Sequence, residues 1–140
     1  MSYIIRLNPD RCTACGACVV ACQDEKGYSC DALRVCRVFE ENEEMLYSSV
    51  SCLHCKNAAC MEVCPAHCFV RDESTGFVVY DNSQCVGCHA CENACAFDAI
   101  RFDKEGKMQK CDGCNERVLR GQEPACVRIC PTGALIFNKL

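Results

Sequence analysis

Sixteen of the nineteen cysteines fall into four groups of four, and every group opens C-x2-C and closes C-x3-C. The groups are Cys12, Cys15, Cys18, Cys22; Cys52, Cys55, Cys60, Cys64; Cys85, Cys88, Cys91, Cys95; and Cys111, Cys114, Cys126, Cys130. Only the inner gap differs: x2 in the first and third, x4 in the second, x11 in the fourth. Cysteines three residues apart suit ligands converging on one metal site better than separate disulfides, and the total is odd, so metal thiolates are expected. Thiolate ligands must stay reduced, so assembly requires a reducing compartment.

Composition supports something other than side chains in the middle of the fold. Hydrophobic residues make up 50% of the chain, but that figure includes the cysteines; without them the apolar share is about 36%, with no Trp and 7% aromatics, a thin core for 140 residues. The opening stretch "MSYIIRLNPDRC" has no apolar run of signal-peptide length and no twin arginine. The expected location is cytoplasmic, with export alongside a twin-arginine-bearing partner left open. No apolar stretch approaches the ~20 residues that span a bilayer, so no direct membrane span is expected. The formal charge of −4 and the lack of a basic stripe argue against a nucleic-acid partner.

The flanks of the groups repeat as well. Short β-like stretches precede them ("YIIRL", "LYSSV", "FVVYD", "KMQK") and follow them ("CFVRD", "AIRFD", "ALIFN"). "RDESTG" and "DKEGK" read as hairpin turns. The closing C-x3-C matches one turn of helix, with both sulfurs on one face. The repeating unit is strand, cysteine loop, short helix, strand. The longest insert carries "EENEE", read as a solvated turn, and its remainder is expected to form a hairpin or lid over the first group.

Zinc also uses C-x2-C pairs, but zinc ribbons set two separated pairs around each ion. Three cysteines at x2 steps closed by a fourth at x3 is the bacterial ferredoxin run, which ends C-P. Cys64-Pro65 and Cys130-Pro131 carry the proline, while Gln23 and Ala96 replace it elsewhere. The expected cofactors are therefore four 4Fe-4S clusters, which also supply the missing core; the metal-free protein is expected to be largely disordered. Outside the pattern, Cys68 occupies the slot four residues after a closing cysteine, where Ala99 and Ala134 stand in other groups. It is read as a small buried residue. Cys30 and Cys36 are read as free thiols of the insert. His54, His67 and His89 lie in or beside the cysteine loops and are read as hydrogen-bonding neighbours of clusters rather than ligands.

The stretches "RCTACGACVVAC", "SCLHCKNAACMEVCP", "GFVVYDNSQCVGCHACENAC" and "KCDGCNERVLRGQEPACVRICPTGAL" resemble the iron–sulfur subunits of the dimethyl sulfoxide reductase family. The x11 gap is the most specific element. The resemblance implies an α+β chain of two nested bacterial-ferredoxin-like modules: residues 1–22 with 108–140 outside, 50–107 inside, and 23–49 as an insert. It also implies that ligands are exchanged within each module. Cluster one would take Cys12, Cys15, Cys18 and Cys130; cluster two Cys22, Cys111, Cys114 and Cys126. Cluster three would take Cys52, Cys55, Cys60 and Cys95; cluster four Cys64, Cys85, Cys88 and Cys91.

No nucleophile–base pair, phosphate loop or open metal position is visible, so a non-catalytic electron-transfer subunit of anaerobic metabolism is expected. Its partners would be a molybdenum or tungsten pterin catalytic subunit and a further electron-transfer subunit or carrier. The alternatives are a small polyferredoxin subunit of a tungsten aldehyde oxidoreductase-type complex, a free-standing polyferredoxin, and a structural or regulatory zinc protein.

Overall fold

The two ends of the chain are hydrogen-bonded to each other. In the computed structural model, which describes residues 2–27 and 31–140, strand β1 (Tyr3–Leu7) pairs antiparallel with the final strand β8 (Leu135–Lys139). Tyr3 lies opposite Lys139 and Leu7 opposite Leu135. The Tyr3 ring stacks on Phe137 at 4.9 Å, a diagonal cross-strand pair, and the Leu140 amide donates to the Ser2 carbonyl at 2.7 Å.

The first cysteine loop leads into helix α1 (Ala17–Lys26), entered through Gly16 at φ 81. This helix continues past Cys22 to Lys26, whose ammonium meets Asp112 at 2.8 Å. The first unit therefore departs from the short-helix expectation. The insert forms the hairpin β2 (Val35–Glu41) and β3 (Glu44–Val50), with Glu41 opposite Glu44. "EENEE" is its exposed turn, where Asn42 and Glu43 take φ of 52 and 65, the left-handed pair of a two-residue hairpin. "LYSSV" is a strand directly before the second cysteine group, as expected, and its partner is β2. Cys30 lies outside the described residues.

The second and third groups supply α2 (Ala59–Val63) and α3 (Ala90–Ala94), which pack on each other. Between them "RDESTG" turns β4 (Phe69–Arg71) back as β5 (Val78–Tyr80). "DKEGK" likewise joins β6 (Arg101–Phe102) to β7 (Met108–Gln109). The long gap of the fourth group holds α4 (Asn115–Leu119); Cys126 lies within α5 (Ala125–Ile129), which packs on α1, and Cys130 follows its end.

The result is an α+β chain, with short helices and, among the described residues, four two-stranded sheets. One buried cluster centres on Phe69, Val78, Ile100 and Met108 together with Cys68 and Cys91; a smaller one joins Leu135 to Cys18 and Cys126. Cys68, Ala99 and Ala134 are all buried, as their shared slot predicts. Among the described residues no helix is long and apolar enough to cross a membrane.

Candidate metal centres

The backbone repeats more closely than the sequence does. In every group the residue before the second cysteine is left-handed: Ala14 at φ 54, His54 at 49, Gly87 at 69 and Gly113 at 72. This bend turns the amide of His54 onto the Cys52 sulfur and that of Gly113 onto the Cys111 sulfur, both at 3.3 Å. After the closing cysteine, His67, Asp98 and Gly133 are left-handed again. The next amide then donates back to that cysteine: Cys68 to Cys64 at 3.3 Å, Ala99 to Cys95 at 3.5 Å, Ala134 to Cys130 at 3.3 Å. Amide donors aimed at sulfur stabilise thiolate and tune the potential of any cluster it holds.

Four cavities collect the sixteen cysteines, each taking four. One of about 310 Å³ is lined by Cys12, Cys15, Cys18 and Cys130. One of about 330 Å³ is lined by Cys22, Cys111, Cys114 and Cys126. One of about 660 Å³ takes Cys52, Cys55, Cys60 and Cys95, and one of about 270 Å³ takes Cys64, Cys85, Cys88 and Cys91. Every closing cysteine lines a different cavity from the opening three of its own group. The "one face" reading of C-x3-C needs correcting for three of the four groups; in the first, Cys18 and Cys22 both lie within α1. Cys64, Cys95 and Cys130 have already left the helix, with ψ of 113, 116 and 113, and so point away from the cysteine four residues earlier.

The side chains around these cavities suit anionic sulfur. Arg34 is 4% exposed and lines the cavity of Cys22 and Cys111. It donates to the Ser49 hydroxyl at 3.1 Å and the Ser51 hydroxyl at 2.7 Å. Ser49 Oγ also lies 3.1 Å from Cys18 Sγ, in position to donate to it as a thiolate. Lys110 is 1% exposed. Its ammonium meets the carbonyls of Val78 and Cys111 and, at 3.5 Å, Cys52 Sγ, and it forms no ion pair among the described residues. A buried ammonium needs compensating negative charge, and thiolate-bound, anionic iron–sulfur groups meet that need.

Protein groups alone leave several of these thiols hard to ionise. Burial, then the neighbouring Cys111, Cys114 and Cys126, pushes Cys22 up to about 12. Burial likewise raises Cys126 and Cys91 to about 11. For Cys130 burial acts upward too, but the Leu135 and Ala134 amides and the Thr132 hydroxyl outweigh it and bring the thiol to about 7. Thiols this buried become ligands by giving up the proton to a metal. Among the described residues no three His, Cys, Asp or Glu side chains gather closely enough to hold one ion. The four cysteines of each set instead line one common cavity, a four-thiol lining of the kind a cluster takes.

The three histidines diverge. His54 Nδ1 accepts from the Val78 amide at 3.0 Å, which leaves Nε2–H toward Cys111 Sγ at 3.8 Å. Burial, then Lys110 and Arg71, drives His54 down to about 2, so its ring is neutral. His89 is exposed and stacks on Phe102 at 3.8 Å, while His67 is exposed. Sequence reasoning missed Arg34, Ser49, Ser51 and Lys110 as neighbours of the cavities. It also read Cys36 as an ordinary free thiol of the insert, whereas Cys36 lines the Cys12–Cys130 cavity as a fifth cysteine.

This arrangement defines a protein of the 4Fe-4S ferredoxin-like class. A 4Fe-4S dicluster domain matches residues 43–140 and a 4Fe-4S binding domain matches residues 5–25. The sequence is 36% identical over 153 residues to the B subunit of the anaerobic dimethyl sulfoxide reductase of Escherichia coli, covering 99% of this protein and 74% of that one. It is 38% identical over 148 residues to the thiosulfate reductase electron transfer subunit of Salmonella typhi, covering 99% and 76%. To the formate dehydrogenase-O iron–sulfur subunit of Escherichia coli it is 35% identical over 150 residues, covering 91% and 50%. The protein belongs to the family of iron–sulfur electron-transfer subunits of the dimethyl sulfoxide reductase type.

Proposed function

We propose that this protein is a non-catalytic electron-transfer subunit that carries single electrons through four 4Fe-4S clusters. Its partners are a molybdenum or tungsten pterin catalytic subunit and a second redox partner. The clusters are held by Cys12, Cys15, Cys18 and Cys130; by Cys22, Cys111, Cys114 and Cys126; by Cys52, Cys55, Cys60 and Cys95; and by Cys64, Cys85, Cys88 and Cys91. One observation carries this reading: each cavity draws three cysteines from one group and the fourth from another. The pairing of β1 with β8, α1 with α5 and α2 with α3 supports a nested arrangement of 1–22 with 108–140 around 50–107.

Bound 4Fe-4S clusters supply reversible one-electron transfer. The protein's own part is to hold and shield. All four corners of each cluster would take a cysteine, so no corner is left for substrate. The left-handed loop residues aim amides at the ligating sulfurs, and Arg34 and Lys110 balance their charge. The pterin subunit as partner rests on the named relatives, two of which are subunits of a dimethyl sulfoxide and a thiosulfate reductase. A reducing compartment for assembly follows from thiolate ligation, and the cytoplasm fulfils it.

Iron and sulfide analysis tests the reading. Anaerobically purified protein should hold about sixteen iron and about sixteen acid-labile sulfide per polypeptide. It should also co-purify with a pterin-containing subunit when the two are co-expressed. Full occupancy at about eight iron, or zinc in place of iron, would overturn it.

A further inference from the structure

Two polar side chains link cavities that belong to different parts of the sequence. We infer that His54 and Lys110 form a bridge between the Cys22, Cys111, Cys114, Cys126 set and the Cys52, Cys55, Cys60, Cys95 set, fixing the two against each other and raising both cluster potentials. The inference rests on the four-cluster reading above.

His54 stands between Cys52 and Cys55 in sequence, in the loop of one set, yet its Nε2 faces Cys111 Sγ of the other at 3.8 Å. Its direction is imposed. The Val78 amide occupies Nδ1 at 3.0 Å, and the ring packs on Phe77, which is 1% exposed, with centroids 4.8 Å apart. The single ring proton is therefore left on Nε2 and pointed at sulfur. Lys110 makes the reverse crossing. It precedes Cys111 in sequence, but its ammonium reaches Cys52 Sγ at 3.5 Å while still donating to the Cys111 carbonyl at 2.6 Å. Each set thus sends one donor to a sulfur of the other.

The backbone at His54 does not itself call for an imidazole. At the position of His54 the main chain is left-handed, a conformation that Gly87 and Gly113 adopt freely at the matching places and that strains any residue with a Cβ. A glycine would meet the backbone requirement without strain, and Ala14 shows that a methyl side chain is tolerated at the matching place in the first group. The imidazole is what the loop adds.

An N–H donor or a cation beside a ligating sulfur favours the reduced cluster, which carries one more negative charge, and so raises its potential. Both side chains act as fixed donors, and no proton transfer is part of the role. The test is an EPR-monitored redox titration of the intact, anaerobically prepared protein, with iron content measured on every sample. Signals are assigned through Cys111→Ser and Cys52→Ser.

His54→Ala, which the backbone of Ala14 shows to be compatible, should keep its iron and move the Cys111 signal to more negative potential. His54→Gln, which retains an N–H donor, should move it back toward the wild-type value. Lys110→Met should move the Cys52 signal negative, and Lys110→Arg should do so less. The two remaining signals should stay in place. Unchanged midpoints in iron-loaded His54→Ala and Lys110→Met would overturn the bridge while leaving the four-cluster reading intact. So would a His54→Gln that behaves like His54→Ala, whether in potential or in iron loss, since the role would then be structural. Fewer than four signals in the unsubstituted protein would overturn both.

Discussion

The sulfur of Cys36 lies 3.6 Å from the sulfur of Cys18. Cys36 sits on β2 of the insert, outside all four cysteine groups, and the facing strand β3 brings Ser49 to the same sulfur. The hairpin therefore supplies two donors, a thiol and a hydroxyl, to one cysteine of the first cavity. Burial, then the hydrogen bond with Cys18, raises the Cys36 thiol, which keeps it protonated and a donor.

Cys36→Ala should accordingly retain the full iron content and move one EPR signal, that of the Cys12, Cys15, Cys18, Cys130 cluster, to more negative potential. Loss of about a quarter of the iron would instead make Cys36 a ligand and one of the four a spectator.

Gly113 illustrates a sequence requirement with a packing cause. At φ 72 a side chain is strained, and an added Cβ would lie 2.5 Å from the buried ring of Phe77. Gly16, at φ 81, has nothing within 4 Å of that position. In urea unfolding followed by loss of cluster absorbance, Gly113→Ala should cost about 2–5 kcal/mol, strain plus overpacking. Gly16→Ala should cost only about 1–2 kcal/mol, the strain alone. Equal effects would mean that Phe77 yields to the methyl group and does not set the loop.

Cys68→Ala should keep all clusters and cost about 1 kcal/mol or less. The Cys68 side chain is buried beside Cys64 and Cys85, and burial followed by those neighbours pushes its thiol up, so it packs as a neutral group. Ala99 and Ala134 fill the matching slots. Its amide, which carries the hydrogen bond to Cys64, survives the substitution. Iron loss in this variant would contradict the assignment of Cys68 as packing.

Local pattern made much of this legible. Cysteine spacing marked the four loops, and polar Gly-containing segments marked the turns at 71–76 and 103–107, because both are encoded by neighbouring residues. Strand partners were harder. "LYSSV" stands directly before the second cysteine group, but its partner is the preceding strand, with Leu46 opposite Phe39 across the Asn42–Glu43 turn. The polar surroundings of the sulfurs were least visible. Arg34, Ser49, Ser51 and Lys110 lie outside the cysteine spacing, and they reach Cys18, Cys22 or Cys52 through contacts between residues far apart in sequence. A charged residue that ends up 1% exposed carries no local mark of it. His54 did offer one signal: a histidine at the loop position where two sister groups place glycine.

The central claim is that each closing cysteine serves a cluster other than that of its own loop, and Cys22 tests it most directly. Cys22 and Cys18 are one helical turn apart on α1, yet Cys22 shares its cavity with Cys111, Cys114 and Cys126, while Cys18 shares one with Cys12, Cys15 and Cys130. Low-temperature EPR of reduced Cys22→Ser, Cys111→Ser and Cys12→Ser proteins separates the possibilities, because each cluster has its own potential and signal. The exchange predicts that Cys22→Ser and Cys111→Ser alter the same signal and Cys12→Ser a different one. If Cys22→Ser and Cys12→Ser alter one signal together while Cys111→Ser alters another, each cysteine group binds its own cluster and the nested arrangement is wrong.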